Sequence, residues 1–344
     1  MKKGILFAVA AALCLLAGCK DKKLTEYEKG IEKLEQQKYE QAVKHFENAI
    51  QKGDKSELAW RGIGIARTGQ GAYDKAEEAF VTALGVTEKK QKALQKDLSL
   101  YLADAQYHQE DYSGCIETCD QLLESGKEKD AYFLRGSAYL CRNEYKKAEK
   151  DFQKVLSDSP VYQDYLDIYM VYQACDLTAD GVEYLEEGLK KKGNSPEDFY
   201  QRGRMYYYLF EYKDAEKALK KAKKKGYDQA LVYLGKIYGE NQDWDEALAV
   251  YEECLDVEGL EAEGYNGLAV CAATEGDYEK ALSYVEKGLK QDDWEMNQIL
   301  LFNQIVFYEK SMNYGSAKEK VTAYLEMYPG DKDAVREGYF LETR

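Results

Sequence analysis

The stretch ELAWRGIGIARTGQGAYDKAEEAFVTAL, which spans Glu57 to Leu84, predicts two short amphipathic helices joined by a turn at its glycines. In its first half, four residues share one helical stripe: Trp60, Ile63, Gly64 and Arg67. In its second half, a further stripe contains Tyr73, Ala76, Phe80, Ala83 and Leu84. Because a hairpin this short cannot bury both of its faces, it needs a neighbouring element to pack against.

The same pattern recurs along the chain. In each copy, a residue that is aromatic in all copies but one lies three positions before a small residue. These first residues are Tyr39, Tyr73, Tyr112, Tyr145, Thr178, Tyr212, Trp244, Tyr278 and Tyr314. Successive copies are separated by 32 to 39 residues, and most separations are close to 34. A larger side chain follows four positions after each small residue, and another small residue usually precedes it by twelve. The spacing therefore predicts nine copies of one two-helix unit.

This pattern resembles the tetratricopeptide repeat (TPR) and covers residues 24–329. The resemblance implies an all-α fold, a right-handed superhelical solenoid of about nine TPR-like helix hairpins. A C-terminal capping helix is expected within residues 330–344. The resemblance also implies a binding scaffold, in which the first helix of each hairpin lines a concave groove.

Two copies depart from the pattern. The fifth has Tyr169 at the position that is usually small and Gly181 where alanine is typical, so we expect looser packing there. The third follows an insertion at residues 85–96, which predicts longer helices or a protruding connection.

The N-terminus has the features of an export signal. Lys2 and Lys3 precede an apolar run that is too short to span a bilayer comfortably, and the run ends in Leu-Ala-Gly before Cys19. This arrangement resembles a bacterial lipoprotein signal peptide at residues 1–18. The resemblance implies that Cys19 carries a diacylglyceryl group, with residues 19–23 as the lipidated cysteine and a short linker. The alternative is an ordinary secretory peptide in which the cysteine occurs by chance.

Charge and motifs exclude several functions. The chain has 48 Lys and Arg against 63 Asp and Glu, a formal charge of −15, and this acidity disfavours nucleic acid as a partner. The sequence contains no Ser-His-Asp set, paired-carboxylate motif, HExxH or P-loop. We therefore expect no enzymatic activity, no catalytic residues and no cofactor.

Two cysteines and one acidic turn resemble metal ligands in outline. Cys115 and Cys119 lie one helical turn apart near His108, but small apolar residues are typical of their positions, so we expect core residues and no metal site. Residues 176–187 match a calcium loop in outline, although they coincide with a hairpin turn. The sequence leaves open whether disulfides form among Cys115, Cys119, Cys141, Cys175, Cys254 and Cys271.

Candidate groove residues lie beside the core stripe of three first helices. They are Leu100, Asp104 and Tyr107 in the third copy, Phe133 in the fourth, and Tyr200, Arg204 and Tyr207 in the sixth. Tyrosine and arginine bury large areas and still satisfy their polar ends, which suits an extended peptide or an amphipathic helix.

The sequence therefore predicts a lipid-anchored, extracytoplasmic scaffold of a bacterial cell envelope, which binds a protein or peptide partner through its concave face. The alternative is a substrate-capture lipoprotein whose tyrosine-rich groove binds a glycan or a small solute.

Overall fold

The computed structural model describes residues 24–291 and 293–344, so the predicted signal peptide and Cys19 lie outside the described residues. The described part of the chain is all-α, and its helices are α1 (Glu26–Glu35), α2 (Tyr39–Gln51), α3 (Ser56–Gly69), α4 (Tyr73–Val86), α5 (Lys92–His108), α6 (Tyr112–Glu124), α7 (Lys129–Cys141), α8 (Tyr145–Val155), α9 (Tyr162–Ala174), α10 (Thr178–Leu189), α11 (Pro196–Tyr208), α12 (Tyr212–Lys224), α13 (Ala230–Glu240), α14 (Trp244–Cys254), α15 (Glu261–Thr274), α16 (Tyr278–Leu289), α17 (Trp294–Lys310), α18 (Tyr314–Met327) and α19 (Lys332–Glu342). None of these helices is both long enough and apolar enough to cross a membrane.

The helices follow the repeat spacing of the sequence. The second helix of each of the nine hairpins begins at the residue that opens the corresponding sequence copy, from Tyr39 in α2 to Tyr314 in α18. Part of the insertion before the third copy lies in α5, which is 17 residues long. The prediction of nine hairpins followed by a terminal helix is confirmed.

Small residues in the first helices let large side chains of the second helices approach the backbone. A Cβ atom added at Gly64 would clash with the ring of Phe80, and one added at Gly30 would clash with the ring of Phe46. Both rings are fully buried. The small and large positions therefore form one interlocking pair within the hairpin.

The hairpin turns share a backbone conformation. In each turn, the residue two positions before the second helix has a left-handed φ, and these residues are Gln37, Gly71, Glu110, Asn143, Asp176, Phe210, Gln242, Gly276 and Met312. Only two of them are glycine, so most turns place a side chain in a region that L-residues avoid.

The chain divides into two compact units. Unit 1 contains the described residues up to Pro160 together with Met170–Asp176 and Met327–Asp331. Unit 2 contains Val161–Tyr169, Leu177–Glu326 and Lys332–Arg344.

Unit 1 contains a contact that the repeat pattern does not predict. The segment Met327–Asp331 lies on the turn between α3 and α4, where the Gly330 N–H donates to the Gln70 carbonyl at 3.2 Å. A Cβ atom at Gly330 would overlap the carbonyl group of Gly71. The ring of Tyr328 lies edge-on to the ring of Tyr39, with their centroids 6.5 Å apart.

Unit 2 contains the unusual tyrosine of the fifth copy and the terminal helix. The Tyr169 side chain is only 1% exposed, and its hydroxyl donates to the Tyr208 carbonyl at 3.3 Å. The looser packing that we expected is therefore not found at Tyr169. In α19, Ala334 and Leu341 are fully buried, as expected of the inner face of a capping helix.

Candidate partner-binding surfaces

In unit 1, one of the four predicted groove residues of α5 and α7 is a core residue, and the other three are partly buried. We call Leu100, Asp104, Tyr107 and Phe133 the α5–α7 set. Tyr107 is only 7% exposed and belongs to a core cluster against which Leu100 packs. Phe133 is partly buried, and its ring centroid lies 6.3 Å from that of Phe152. The prediction that Tyr107 is available to a ligand is not supported, because little of its ring reaches the surface.

Asp104 has an unusual environment within this set. Its side chain is 16% exposed, and its Oδ1 atom lies 3.6 Å from Nε2 of His108. The His108 ring stacks on Tyr73, with the ring centroids 5.0 Å apart. Burial raises the pKa of Asp104 from its ordinary value of 3.8 to about 7. This carboxyl group therefore changes charge near neutral pH.

In unit 2, the structure brings the three predicted residues of α11 together around one tyrosine of α13. We call Tyr200, Arg204, Tyr207 and Tyr233 the α11–α13 surface. Tyr233 is edge-on to Tyr200 and to Tyr207, with centroid distances of 5.9 and 5.4 Å. Tyr233 itself is 9% exposed, whereas the other three side chains are partly exposed. The rings therefore form a supported aromatic surface with a cation among them.

Arg204 is held in place by both rings and polar groups. Its guanidinium carbon lies 5.6 Å from the ring centroid of Tyr200 and 5.7 Å from that of Tyr233, within the range of cation–π interactions. Its Nη1 atom donates to Gln163 Oε1 at 2.9 Å and to Gln201 Oε1 at 2.8 Å. These contacts fix the guanidinium before any ligand binds, which reduces the entropy cost of binding.

The charge of Arg204 affects its neighbours. Burial alone would raise the pKa of Tyr233, but the positive charge of Arg204 and a hydrogen bond with Tyr208 together bring it below its usual value. Burial raises the pKa of Asp167, while a hydrogen bond from Gln163 and the charge of Arg204 oppose this effect. The surface therefore combines a fixed cation with a nearby carboxyl group.

Tyr233 and Tyr208 were missed by the sequence analysis. The Tyr208 hydroxyl lies 3.3 Å from the Tyr233 hydroxyl, so both contribute to the polar edge of the surface. The predicted groove residues occupy three positions of a first helix, whereas Tyr233 occupies a different position in the next repeat. An inspection of each tyrosine against its neighbour in the following repeat would have found it.

The cysteines of the third copy are core residues. Cys115 and Cys119 are fully buried among residues such as Ala103 and Leu134, and the Cys115 thiol donates to the Leu134 carbonyl at 3.8 Å. Across residues 24–291 and 293–344, no group of three or more His, Cys, Asp or Glu side chains is arranged to hold a metal ion.

Nine consecutive helix hairpins in one register, with small residues beneath large ones, define a helical repeat protein. Two family models of the tetratricopeptide repeat match the chain. One matches residues 27–93, 200–253 and 233–294, and the other matches residues 129–160, so that more than half of the chain is covered. The chain belongs to the tetratricopeptide-repeat family.

A solved structure shows the same fold. The yeast Tom70 structure is 13% identical over 92% of this chain and 87% of its own, with a TM-score of 0.50, and at this identity the similarity is one of fold. The chain is also similar to a tetratricopeptide repeat protein from Parabacteroides merdae, which is 17% identical over 90% of this chain and 100% of its own, with a TM-score of 0.43. Proteins with this fold generally bind protein partners.

Proposed function

We propose that this protein is a membrane-anchored, extracytoplasmic scaffold that binds a protein partner, and that a peptide segment of the partner docks on the α11–α13 surface. The observation that carries the proposal is the Arg204 guanidinium, which is held beside the rings of both Tyr200 and Tyr233. Tyrosine and arginine are the residues most enriched where protein interfaces concentrate their binding energy.

The chemistry of the surface suits a peptide. The partly exposed rings of Tyr200 and Tyr207 offer apolar area, and their hydroxyls keep a polar edge available for hydrogen bonds with a peptide backbone. The guanidinium of Arg204 can bind a carbonyl or a carboxylate of the same segment. Because neighbouring rings and glutamines already restrict these side chains, little conformational entropy is lost on docking.

The α5–α7 set suits this role less well. Tyr107 lies within the core cluster, and Asp104 is a nearly buried carboxyl group instead of a fixed cation. A ligand at this set would meet one partly exposed ring, that of Phe133, and no fixed cation among the four side chains. We therefore assign peptide docking to unit 2.

The test is cross-linking in membranes of cells that produce the full chain, followed by affinity measurement with the partner that is recovered. Arg204→Ala and Tyr207→Ala should each weaken binding by about 2 kcal/mol, which is roughly thirtyfold in the dissociation constant. The matched control is Tyr284→Ala. Tyr284 is a partly buried tyrosine of α16 with the ammonium groups of Lys280 and Lys287 at 5.9 and 5.2 Å from its ring centroid, but it lies on a second helix.

Equal affinity of the partner for the wild type and for both α11 variants would contradict docking at this surface. Saturable binding of a purified oligosaccharide that Tyr207→Ala abolishes would instead favour the alternative function, capture of a glycan. Helix content measured by circular dichroism should be unchanged in all three variants, so that a loss of binding reports the surface itself.

The membrane anchor is a separate part of the proposal and rests on the sequence around Cys19. Each buried methylene of an acyl chain contributes about 0.8 kcal/mol to membrane binding, so two chains on one cysteine would hold the protein stably at a bilayer. The wild type should partition into the detergent phase, and Cys19→Ser should remain in the aqueous phase. Aqueous partitioning of the wild type would contradict the anchor without affecting the docking proposal.

A further inference from the structure

Two cysteines from different repeats lie together in unit 1. Cys141 is the last residue of α7, and Cys175 follows the last residue of α9. Their Sγ atoms are 2.6 Å apart, and both side chains are partly exposed. This separation is about half an ångström longer than a disulfide bond. The two thiols are therefore already positioned to form one.

Tyrosine hydroxyls complete the environment of this pair. The Tyr107 hydroxyl lies 3.7 Å from Sγ of Cys141. Hydrogen bonds from Cys175, and then from Tyr107 and Tyr112, lower the pKa of Cys141, because they stabilise its thiolate more than burial opposes it. The pKa of Cys175 is raised, first because its thiol hydrogen-bonds Cys141 and then because it is partly buried. Cys141, which also contacts the Tyr107 hydroxyl, is therefore assigned as the attacking thiol and Cys175 as the resolving thiol.

We propose that Cys141 and Cys175 form a thiol–disulfide exchange site that reacts with an external disulfide and closes to an intramolecular disulfide bond. The site is independent of the proposed docking function. Its co-reactant is a small-molecule or protein disulfide that can reach the partly exposed pair.

The reaction is balanced by two exchange steps. The Cys141 thiolate attacks one sulfur of the external disulfide, forms a mixed disulfide and releases one thiolate. The thiol of Cys175 then loses its proton, attacks Sγ of Cys141 and releases the second thiolate. Formation of the mixed disulfide removes the negative charge from Cys141, so the deprotonation of Cys175 becomes easier. Two protein thiols are oxidised, and the external disulfide is reduced to two thiols.

The remaining cysteines of the described part of the chain are buried and serve as internal controls. They are Cys115, Cys119, Cys254 and Cys271. Burial raises the pKa of Cys254 to about 12 and that of Cys271 to about 11, which keeps both protonated and unreactive at neutral pH.

The test equilibrates the folded full chain with oxidised and reduced glutathione at pH 7.5, alkylates the remaining thiols and identifies the peptides by mass spectrometry. We expect a cross-linked peptide that joins Cys141 to Cys175, with the buried cysteines alkylated only after unfolding. Cys175→Ser should stop the reaction at a glutathione adduct on Cys141, and Cys141→Ser should give no cross-linked peptide. Cys254→Ala, the matched control, should retain the cross-link.

A second measurement needs no oxidation. In the reduced wild type at pH 7, iodoacetamide should alkylate Cys141 at least about tenfold faster than Cys175, because only the thiolate reacts. Recovery of both cysteines as free thiols from the glutathione mixture would overturn the proposal. Recovery of Cys141 only as a glutathione adduct in the wild type would also overturn it, because the second step would then not occur.

Discussion

The α5 residues of the α5–α7 set and the α11 residues of the α11–α13 surface occupy equivalent positions in their hairpins, and they differ in exposure and charge. Tyr107 and Tyr207 are equivalent, yet Tyr107 is a core residue and Tyr207 is partly exposed. Asp104 and Arg204 are also equivalent and carry opposite charges. Where α13 has Tyr233, α7 has the smaller Leu134. The position within a repeat therefore sets the direction of a side chain, and the next repeat determines how much of it is exposed.

Truncation of the two tyrosines should give the largest difference between the regions. Tyr107→Ala removes a buried ring and should lower the free energy of unfolding by about 3–5 kcal/mol, whereas Tyr207→Ala should cost less than about 2 kcal/mol. Urea unfolding followed by circular dichroism measures both. Tyr107→Phe is the control, because it retains the ring and loses only the hydroxyl contact with Cys141. Equal losses for the two alanine variants would show that Tyr107 is no more buried in solution than Tyr207.

Oxidation should act on the helices that the disulfide joins. A disulfide between Cys141 and Cys175 closes a loop of about 35 residues, and the chain-entropy model gives a stabilisation of roughly 3–4 kcal/mol. Amide hydrogen exchange should therefore slow in α7 of the oxidised protein and stay unchanged in α11. Cys175→Ser should show no change in either helix under the same conditions. Equal slowing in both helices would contradict a local effect of the cross-link.

The two regions should also differ in their response to pH. The unfolded chain releases the Asp104 proton near pH 4, whereas the folded chain holds it up to about pH 7. Between these values the folded state binds more protons, so the contribution of Asp104 to stability falls as pH rises from about 4 to about 7 and is constant above. The shift corresponds to at most about 4 kcal/mol, and the nearby His108 reduces this amount when it is protonated.

The measurement is the urea midpoint of the wild type and of Asp104→Asn at pH 5 and pH 8. The wild type should lose more stability than the variant between these two values. Asp167→Asn is the matched variant of unit 2, and it should change the profile less, because Gln163 and Arg204 stabilise the Asp167 carboxylate. Parallel profiles for the wild type and Asp104→Asn would contradict the raised pKa of Asp104.

The sequence predicted the structural features that recur in every repeat. The aromatic and small residues at fixed spacing placed the start of all nine second helices, because each pair must interlock within its own hairpin. The sequence did not predict the contact of Gly330 with Gln70, because that contact occurs once and has no repeated signature. It predicted Tyr200, Arg204 and Tyr207 as neighbours but missed Tyr233, whose role depends on packing between successive repeats.

Exposure was harder to predict than position. The sequence treated Tyr107 and Tyr207 alike, since both occupy the same place on a first helix. Their burial depends on the side chains that the following first helix presents, and a single-repeat pattern does not contain that information. The proximity of Cys141 to Cys175 has the same origin, because it arises between one hairpin and the next.

The smallest expected effect concerns the turns that follow α7 and α11. Asn143 and Phe210 occupy the same turn position with φ values of 61° and 60°, but asparagine adopts this left-handed conformation more readily than a bulky side chain. Phe210 is 72% exposed, so little apolar burial offsets the strain. Phe210→Asn should therefore raise the free energy of unfolding by about 0.5–1 kcal/mol, measured by urea unfolding, with Asn143→Phe as the reciprocal variant that should lower it. The Phe210 ring meets the Tyr212 ring edge-on, with the centroids 6.2 Å apart, and the Tyr212 ring lies 5.9 Å from that of Tyr207. If Phe210→Asn stabilises the fold and leaves partner affinity unchanged, the Phe210 ring lies outside the docking surface. If the variant is more stable but binds the partner more weakly, the strained turn presents an aromatic side chain to the partner. The docking surface then extends beyond α11 and α13.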